Sequence, residues 1–214
     1  MKTILSLLSI FLLSGYTFSQ NQNEAKALLD KAYATYEASD GIRLSFKSTM
    51  TDKDGTAYAP QSGEAFIKGD KFKLEMEAMD IWFDGKTQWV LMKDMNEVNI
   101  STPTGNEIAA ISPLALLGMY KNGFTLKAPA SKTIHGRSTH LIDMIPVNPS
   151  KEFKSITAAI DKESGNIIQV TLTLADGMKN IINISAYNSN HQFSDTMFRF
   201  DKNDHPGVEI VDLR

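Results

Sequence analysis

The sequence predicts an α+β, mainly β protein: one large, curved antiparallel sheet that embraces helices. Three observations carry this. One amphipathic stripe opens the chain, and after Gly41 the apolar residues recur with a period of two. Asp-Gly pairs separate the runs, at Asp54-Gly55, Asp84-Gly85 and Asp176-Gly177. Such pairs suit tight hairpins because their backbones accept the positive φ that twisted strands require. The 214 residues suit a single domain, since sandwiches and barrels of this size often stay undivided.

Residues 1–19 have the organisation of an export signal. Lys2 supplies the positive start, Ile4 to Leu13 the apolar stretch, and Thr17-Phe18-Ser19 the small-residue site before Gln20. The apolar stretch is too short to span a membrane. A mature domain of residues 20–214 is therefore expected, exported and soluble. Without Lys2 it has 21 basic against 25 acidic residues, a formal charge of −4. That balance argues against a nucleic-acid or anionic-membrane surface. The chain has no cysteine, hence no disulfide and no cysteine for lipid attachment after the signal.

Asn21 and Glu24 have capping-box spacing, and Ala25, Leu28, Leu29, Ala32, Tyr33 and Tyr36 form one helical face. Asp40-Gly41 is the expected stop, with Gly41 in the left-handed region. Ile42, Leu44, Phe46, Ser48 and Met50 then share one strand face. Glu64 to Lys68 is a second strand, Gly69-Asp70 a turn, and Phe72, Leu74 and Met76 the clearest alternation in the chain. Trp82 and Trp89 flank the Asp84-Gly85 turn, and Val98, Ile100 and Thr102 follow a turn at Met95-Asn96. Residues 103–123 interrupt the pattern. Ile108 to Tyr120 reads as one or two short helices, apolar on most sides, which either plug one end of a sheet or cover an apolar cavity. Strands resume over Thr139 to Ile145, Ile156 to Ile160, Ile167 to Leu174 and Lys179 to Tyr187, with Met197 to Phe200 as the last.

Sites for chemistry are sparse. His135, His140, His191 and His205 have no metal-ligand spacing with one another or with a carboxylate. No serine lies in a Gly-x-Ser-x-Gly elbow and no glycine loop is built for phosphate. Glu75/Glu77 and Asp161/Glu163 fall on polar strand faces or in turns, where solvated charge explains them. A binding protein is expected, not an enzyme, and no cofactor or metal is implied. Nine methionines follow the signal, at 50, 76, 79, 92, 95, 119, 144, 178 and 197. Their flexible thioethers suit an interior that accepts a changeable apolar guest.

The ordered set of segments resembles the LolA-like periplasmic carriers of outer-membrane lipoproteins, over nearly all of the mature chain. After the opening helix come Ile42-Arg43-Leu44-Ser45-Phe46 and Gly63-Glu64-Ala65-Phe66-Ile67-Lys68. Phe83-Asp84-Gly85-Lys86-Thr87-Gln88-Trp89 corresponds to the family's Asp-Gly-Lys-x-x-Trp hairpin. Pro113-Leu114-Ala115-Leu116-Leu117, Phe198-Arg199-Phe200 and Pro206-Gly207-Val208 complete the set.

The resemblance implies an unclosed (half) antiparallel β-barrel with an N-terminal helix and a short-helix lid covering an apolar cavity. It implies a periplasmic, monomeric carrier of acylated lipoproteins. Cargo would come from an inner-membrane ATP-driven release complex and pass to an outer-membrane acceptor whose identity the sequence does not give. The expected cavity lining is Phe46, Phe66, Phe72, Leu74, Met76, Trp82, Trp89 and Leu91 on the sheet, with Leu114, Leu117 and Met119 on the lid. Alternation leaves open which tryptophan points inward. Family members often follow Lys68's position with Arg-Pro, the Arg holding the lid; here Gly69 and Asp70 stand there, so that latch is not carried over. The alternative is a lipid- or peptide-sensing domain of the same fold that transports nothing.

Overall fold

A computed structural model describes residues 14–104, 107–108, 120–121, 123–148 and 153–214. One helix, α1 (Ser14–Glu37), precedes β1 (Ile42–Thr51), β2 (Gln61–Lys68), β3 (Lys71–Met76), β4 (Met79–Phe83), β5 (Gln88–Met92) and β6 (Glu97–Ser101). The second half supplies β7 (Phe124–Leu126), β8 (Ala130–Ile134), β9 (Arg137–Pro146), β10 (Phe153–Asp161), β11 (Ile167–Leu174), β12 (Lys179–Asn188) and β13 (Glu209–Asp212). All strands belong to one sheet in the order β13-β6-β5-β4-β3-β2-β1-β12-β11-β10-β9-β7, with β8 also on β9. Its outermost strands, β13 at one side and β7 and β8 at the other, do not pair with each other, so the barrel is unclosed.

Adjacent strands follow short hairpins because the turn chemistry demands it. Gly85 has φ +95° beside Asp84, whose carboxylate accepts the Lys86 and Thr87 amides. Strand β1 pairs with both β2 and β12, joining the two halves of the chain at the middle of the sheet. A bulge between Ser45 and Phe46 shifts the β1–β12 register there and adds local twist.

The inner face carries the main core. Ala25, Leu29 and Ala32 of α1 pack in one cluster with Ile42, Leu44, Phe46, Leu74, Phe83, Ile142, Ile156 and Val170. The helix crosses this face from Tyr36, near β12, toward β7. Just before β7, Tyr120 donates a 2.6 Å hydrogen bond to Asp30, and the Lys121 ammonium stands 4.1 Å from the Tyr33 ring centre. Part of the outer face, over β2–β6, is covered as well. Residues 189–214 run back across it, placing Phe193, Phe198, Phe200 and Val208 against the sheet.

The opening helix starts earlier than the capping pattern predicts. Asn21 lies within α1, two turns past its start, because a nucleated helix propagates through the residues ahead of it at little cost. The helix also ends at Glu37, and Gly41 has no positive φ; it bridges to Asn190 instead. Met197 to Phe200 is not a strand. Asp195–Phe198 is a 3-10 turn that buries Phe198. Strands β7, β8 and β13 are additions to the sequence reading; β8 and β9 are joined by His135 and Gly136, both at positive φ. Most of residues 103–123, with Leu114, Leu117 and Met119, lies outside the described residues.

Candidate functional site

The helix-facing side of β1–β5 is the candidate binding face. Cross-strand register aligns side chains into rows there. Ile184, Phe46, Gly63 and Met76 form one row across β12, β1, β2 and β3, and Met79 pairs with Met92 on β4 and β5 just beyond it. Gly63 is required in this row. A Cβ there would lie 2.8 Å from the Phe46 ring and 2.6 Å from the Glu75 carbonyl, so only glycine lets Phe46 and Met76 close over the strand. Met50 stands on the same face of β1 as Phe46. Met50, Met76, Met79 and Met92 thus stand on one face, where their flexible side chains can adapt to an irregular partner.

These side chains are half-buried, not sealed. Met76, Met79, Val90, Ile184, Tyr36 and Tyr187 all pack on the core yet keep accessible surface. A cleft of about 230 Å³, lined by Pro60, Gln61, Met76, Ala78 and Met79, opens at the β3–β4 rim. At the opposite end of the face, Tyr36 and Tyr187 meet where α1 joins β12. Burial pushes both phenols above their ordinary pKa, and for Tyr36 the neighbouring Tyr187 and Tyr33 add to the rise. They are neutral hydroxyls at any physiological pH. Gln88, also on this side, accepts a hydrogen bond from Ser101 through Oε1, while its buried Nε2 has no partner among the described residues.

Of the residues predicted to line the interior, Phe46, Phe72, Leu74 and Met76 face the helix. Phe66, Trp82, Trp89 and Leu91 do not; they lie on the outer face, and this corrects the sequence reading. Phe66 sits between Ala65 and Ile67, both of which point inward, and its ring packs edge-on against Phe193 with centroids 5.8 Å apart. Trp82 and Trp89 are direct cross-strand partners and so share one side. Trp82 meets Phe200 at 5.5 Å and His205 at 5.8 Å, with Leu91, Val98 and Val208 in the same cluster. Both faces of these strands are apolar because both are covered, so alternation could not separate inside from outside. Val90, Met79 and Ile184 are inner-facing residues that the sequence reading missed.

Lys68 stands just before Gly69, where family members often carry the lid Arg. Its ammonium reaches the outer side, donating to the Phe193 carbonyl at 2.8 Å and to Asp195 at 2.9 Å. Among the described residues no group of three or more His, Asp or Glu could hold a metal ion. No helix among them is long and apolar enough to cross a membrane.

An unclosed antiparallel sheet with one helix laid along an apolar inner face is the LolA-like open-barrel architecture. The sequence signature of the family described as outer membrane lipoprotein carrier protein LolA matches residues 15–177. The chain belongs to that family. Among solved structures, an uncharacterized conserved protein from Thermus thermophilus superposes with a TM-score of 0.58 at 10% identity, covering 88% of this chain and 99% of its own. A LolA superfamily protein from Nitrosomonas europaea gives 0.47 at 10% identity, with 82% and 97% covered. The Mycobacterium tuberculosis lipoprotein LppX gives 0.46 at 14% identity, with 79% and 97% covered. No curated protein matches the chain by sequence.

Proposed function

We propose that this protein is a periplasmic carrier that shields the acyl chains of lipoproteins and passes them from the inner to the outer membrane. The observation that carries this reading is the half-buried, methionine-rich inner face of a sheet whose own strands do not close over it. Family membership supports lipoprotein acyl chains as the ligand class. Residues 1–19 are the export signal in this reading, the donor is an inner-membrane ATP-driven release complex, and an outer-membrane acceptor receives the cargo. The protein binds and releases; it catalyses no reaction.

Affinity must stay limited for such a role. Each buried methylene stabilises by about 0.8 kcal/mol, and a lipoprotein's acyl chains offer dozens. Full burial would reach the roughly −20 kcal/mol at which non-covalent affinity saturates, and the cargo would never leave. Partial cover by a half-open face leaves acyl surface for the acceptor to take, so transfer runs downhill once the donor has supplied the extraction work.

The test is to purify the exported protein from cells and identify its hydrophobic cargo by mass spectrometry, alongside depletion of the protein. Acylated lipoproteins in the bound fraction, with lipoproteins retained at the inner membrane on depletion, are the expected result. Bound lipid or peptide with unchanged lipoprotein sorting would establish a sensing domain instead.

A further inference from the structure

Two chemically different groups of side chains stand apart on the inner face. Where α1 meets β12, no described residue hydrogen-bonds the hydroxyls of Tyr36 and Tyr187. Their neighbours differ: Tyr33 has Glu37 as partner and Tyr120 has Asp30. Toward the other side of the sheet lie Met76, Met79 and Met92. From β12 to β4 the order is β12-β1-β2-β3-β4. At about 4.8 Å per strand step, the two groups are about 19 Å apart along the sheet. The row Ile184–Phe46–Met76 leads from one toward the other with no charged side chain in it.

From this arrangement we infer that the face holds an acylated ligand in one orientation. The carbonyl groups at the junction of acyl chain and headgroup accept hydrogen bonds from Tyr36 and Tyr187. The chain runs across Ile184 and Phe46 and ends among Met76, Met79 and Met92. The inference rests on the acyl-carrier reading above and adds to it a polar recognition point and a direction. The chemistry is complementary at both ends. A phenol hydroxyl that keeps accessible surface and has no partner among the described residues is free to donate, and an ester or amide oxygen supplies an acceptor. The rings stay neutral, so they offer donors and no charge to trap the cargo. The methionines tolerate chain ends of differing length and unsaturation.

The test uses a dipalmitoyl-glyceryl cysteinyl peptide and its ether-linked analogue, which lacks the ester carbonyls. In the full mature chain, Tyr36→Phe with Tyr187→Phe is expected to weaken ester-peptide binding about fivefold and ether-peptide binding hardly at all. A diazirine at the end of the acyl chain is expected to label Met76, Met79 or Met92. Equal losses for both peptides, or chain-end labelling at Tyr36 and Tyr187, would overturn the orientation. So would loss of ester preference through Gln88→Met in place of the tyrosine changes, since Gln88 Nε2 is a buried donor on this side with no partner among the described residues. Failure of the wild-type protein to bind either peptide would instead remove the acyl-carrier reading itself.

Discussion

Lys68 and Asp195, 127 positions apart in sequence, meet at 2.9 Å and tie the C-terminal segment to the outer side of the sheet. Lys71 reaches the other oxygen of the same carboxylate at 2.7 Å. Hydrogen bonds from Lys71 and then Lys68 hold the Asp195 pKa down to about 2 from its ordinary 3.8. A carboxylate depressed in the folded state contributes stability that is present above its unfolded value and lost as pH falls through the folded one. Between pH 4 and pH 2 the tail is therefore expected to loosen, reported by the fluorescence of Trp82 beneath Phe200. Other aspartates titrate in the same window, so the measurement is the difference from Asp195→Asn, which is expected to show the loosened signal already at pH 5. An identical pH profile in that variant would show that the ion pairs do not hold the tail.

Phe198 is fully buried and touches Phe193, although both lie beyond the residues matched by the family signature. Truncation to alanine opens a cavity under the tail. A loss of about 3–5 kcal/mol in urea unfolding is expected. A loss below about 1 kcal/mol would make the segment a peripheral strap, not part of the domain.

Leu74 and Met79 both face α1, but they differ in accessibility. Leu74 is 3% exposed, and a glutamate there would bury an unpaired carboxylate. Leu74→Glu is expected to cost about 4 kcal/mol or more and to prevent folding. Met79→Gln, on half-buried ground, is expected to cost about 1 kcal/mol and to weaken lipopeptide binding severalfold. Circular dichroism and binding isotherms on the pair separate core from binding surface; normal binding by a folded Met79→Gln protein would rule out the methionine row as a ligand contact.

Tyr120 fastens the stretch before β7 to α1 through Asp30. Hydrogen bonds from Lys26 first and Tyr120 second lower the Asp30 pKa. Removing the hydroxyl in Tyr120→Phe is expected to cost about 1 kcal/mol, discounted because Asp30 is partly exposed, and to raise the Asp30 pKa in a carboxyl NMR titration. An unmoved Asp30 titration would mean that the bond is not formed in solution.

Much of the sheet could be read before any coordinates. Phe72, Leu74 and Met76 alternate with lysines and glutamates, and β3 forms where that pattern lies. Asp84-Gly85 and Asp176-Gly177 set their hairpins because the turn requirement is local. The facing of Trp82 and Phe66 was not legible, since it depends on Phe200 and Phe193 folding back from more than a hundred residues away. Short edge strands such as β7 and β13 carry too few residues to show a period. The tyrosine pair was equally hidden, because Tyr36 belongs to a helical stripe and Tyr187 to a strand, and only the packing of α1 against β12 brings them together.

Strand β13 runs parallel to β6, with Glu209 beside Glu97 and Asp212 beside Ile100. It follows every other strand in the chain, so this edge of the sheet is finished late as the polypeptide emerges. Until β13 and the segment before it arrive, Trp82, Leu91 and Val98 present a bare apolar patch, and β6 offers an unpaired edge. A chain shortened before residue 189 would carry that patch permanently, and self-association through β6 is its natural fate.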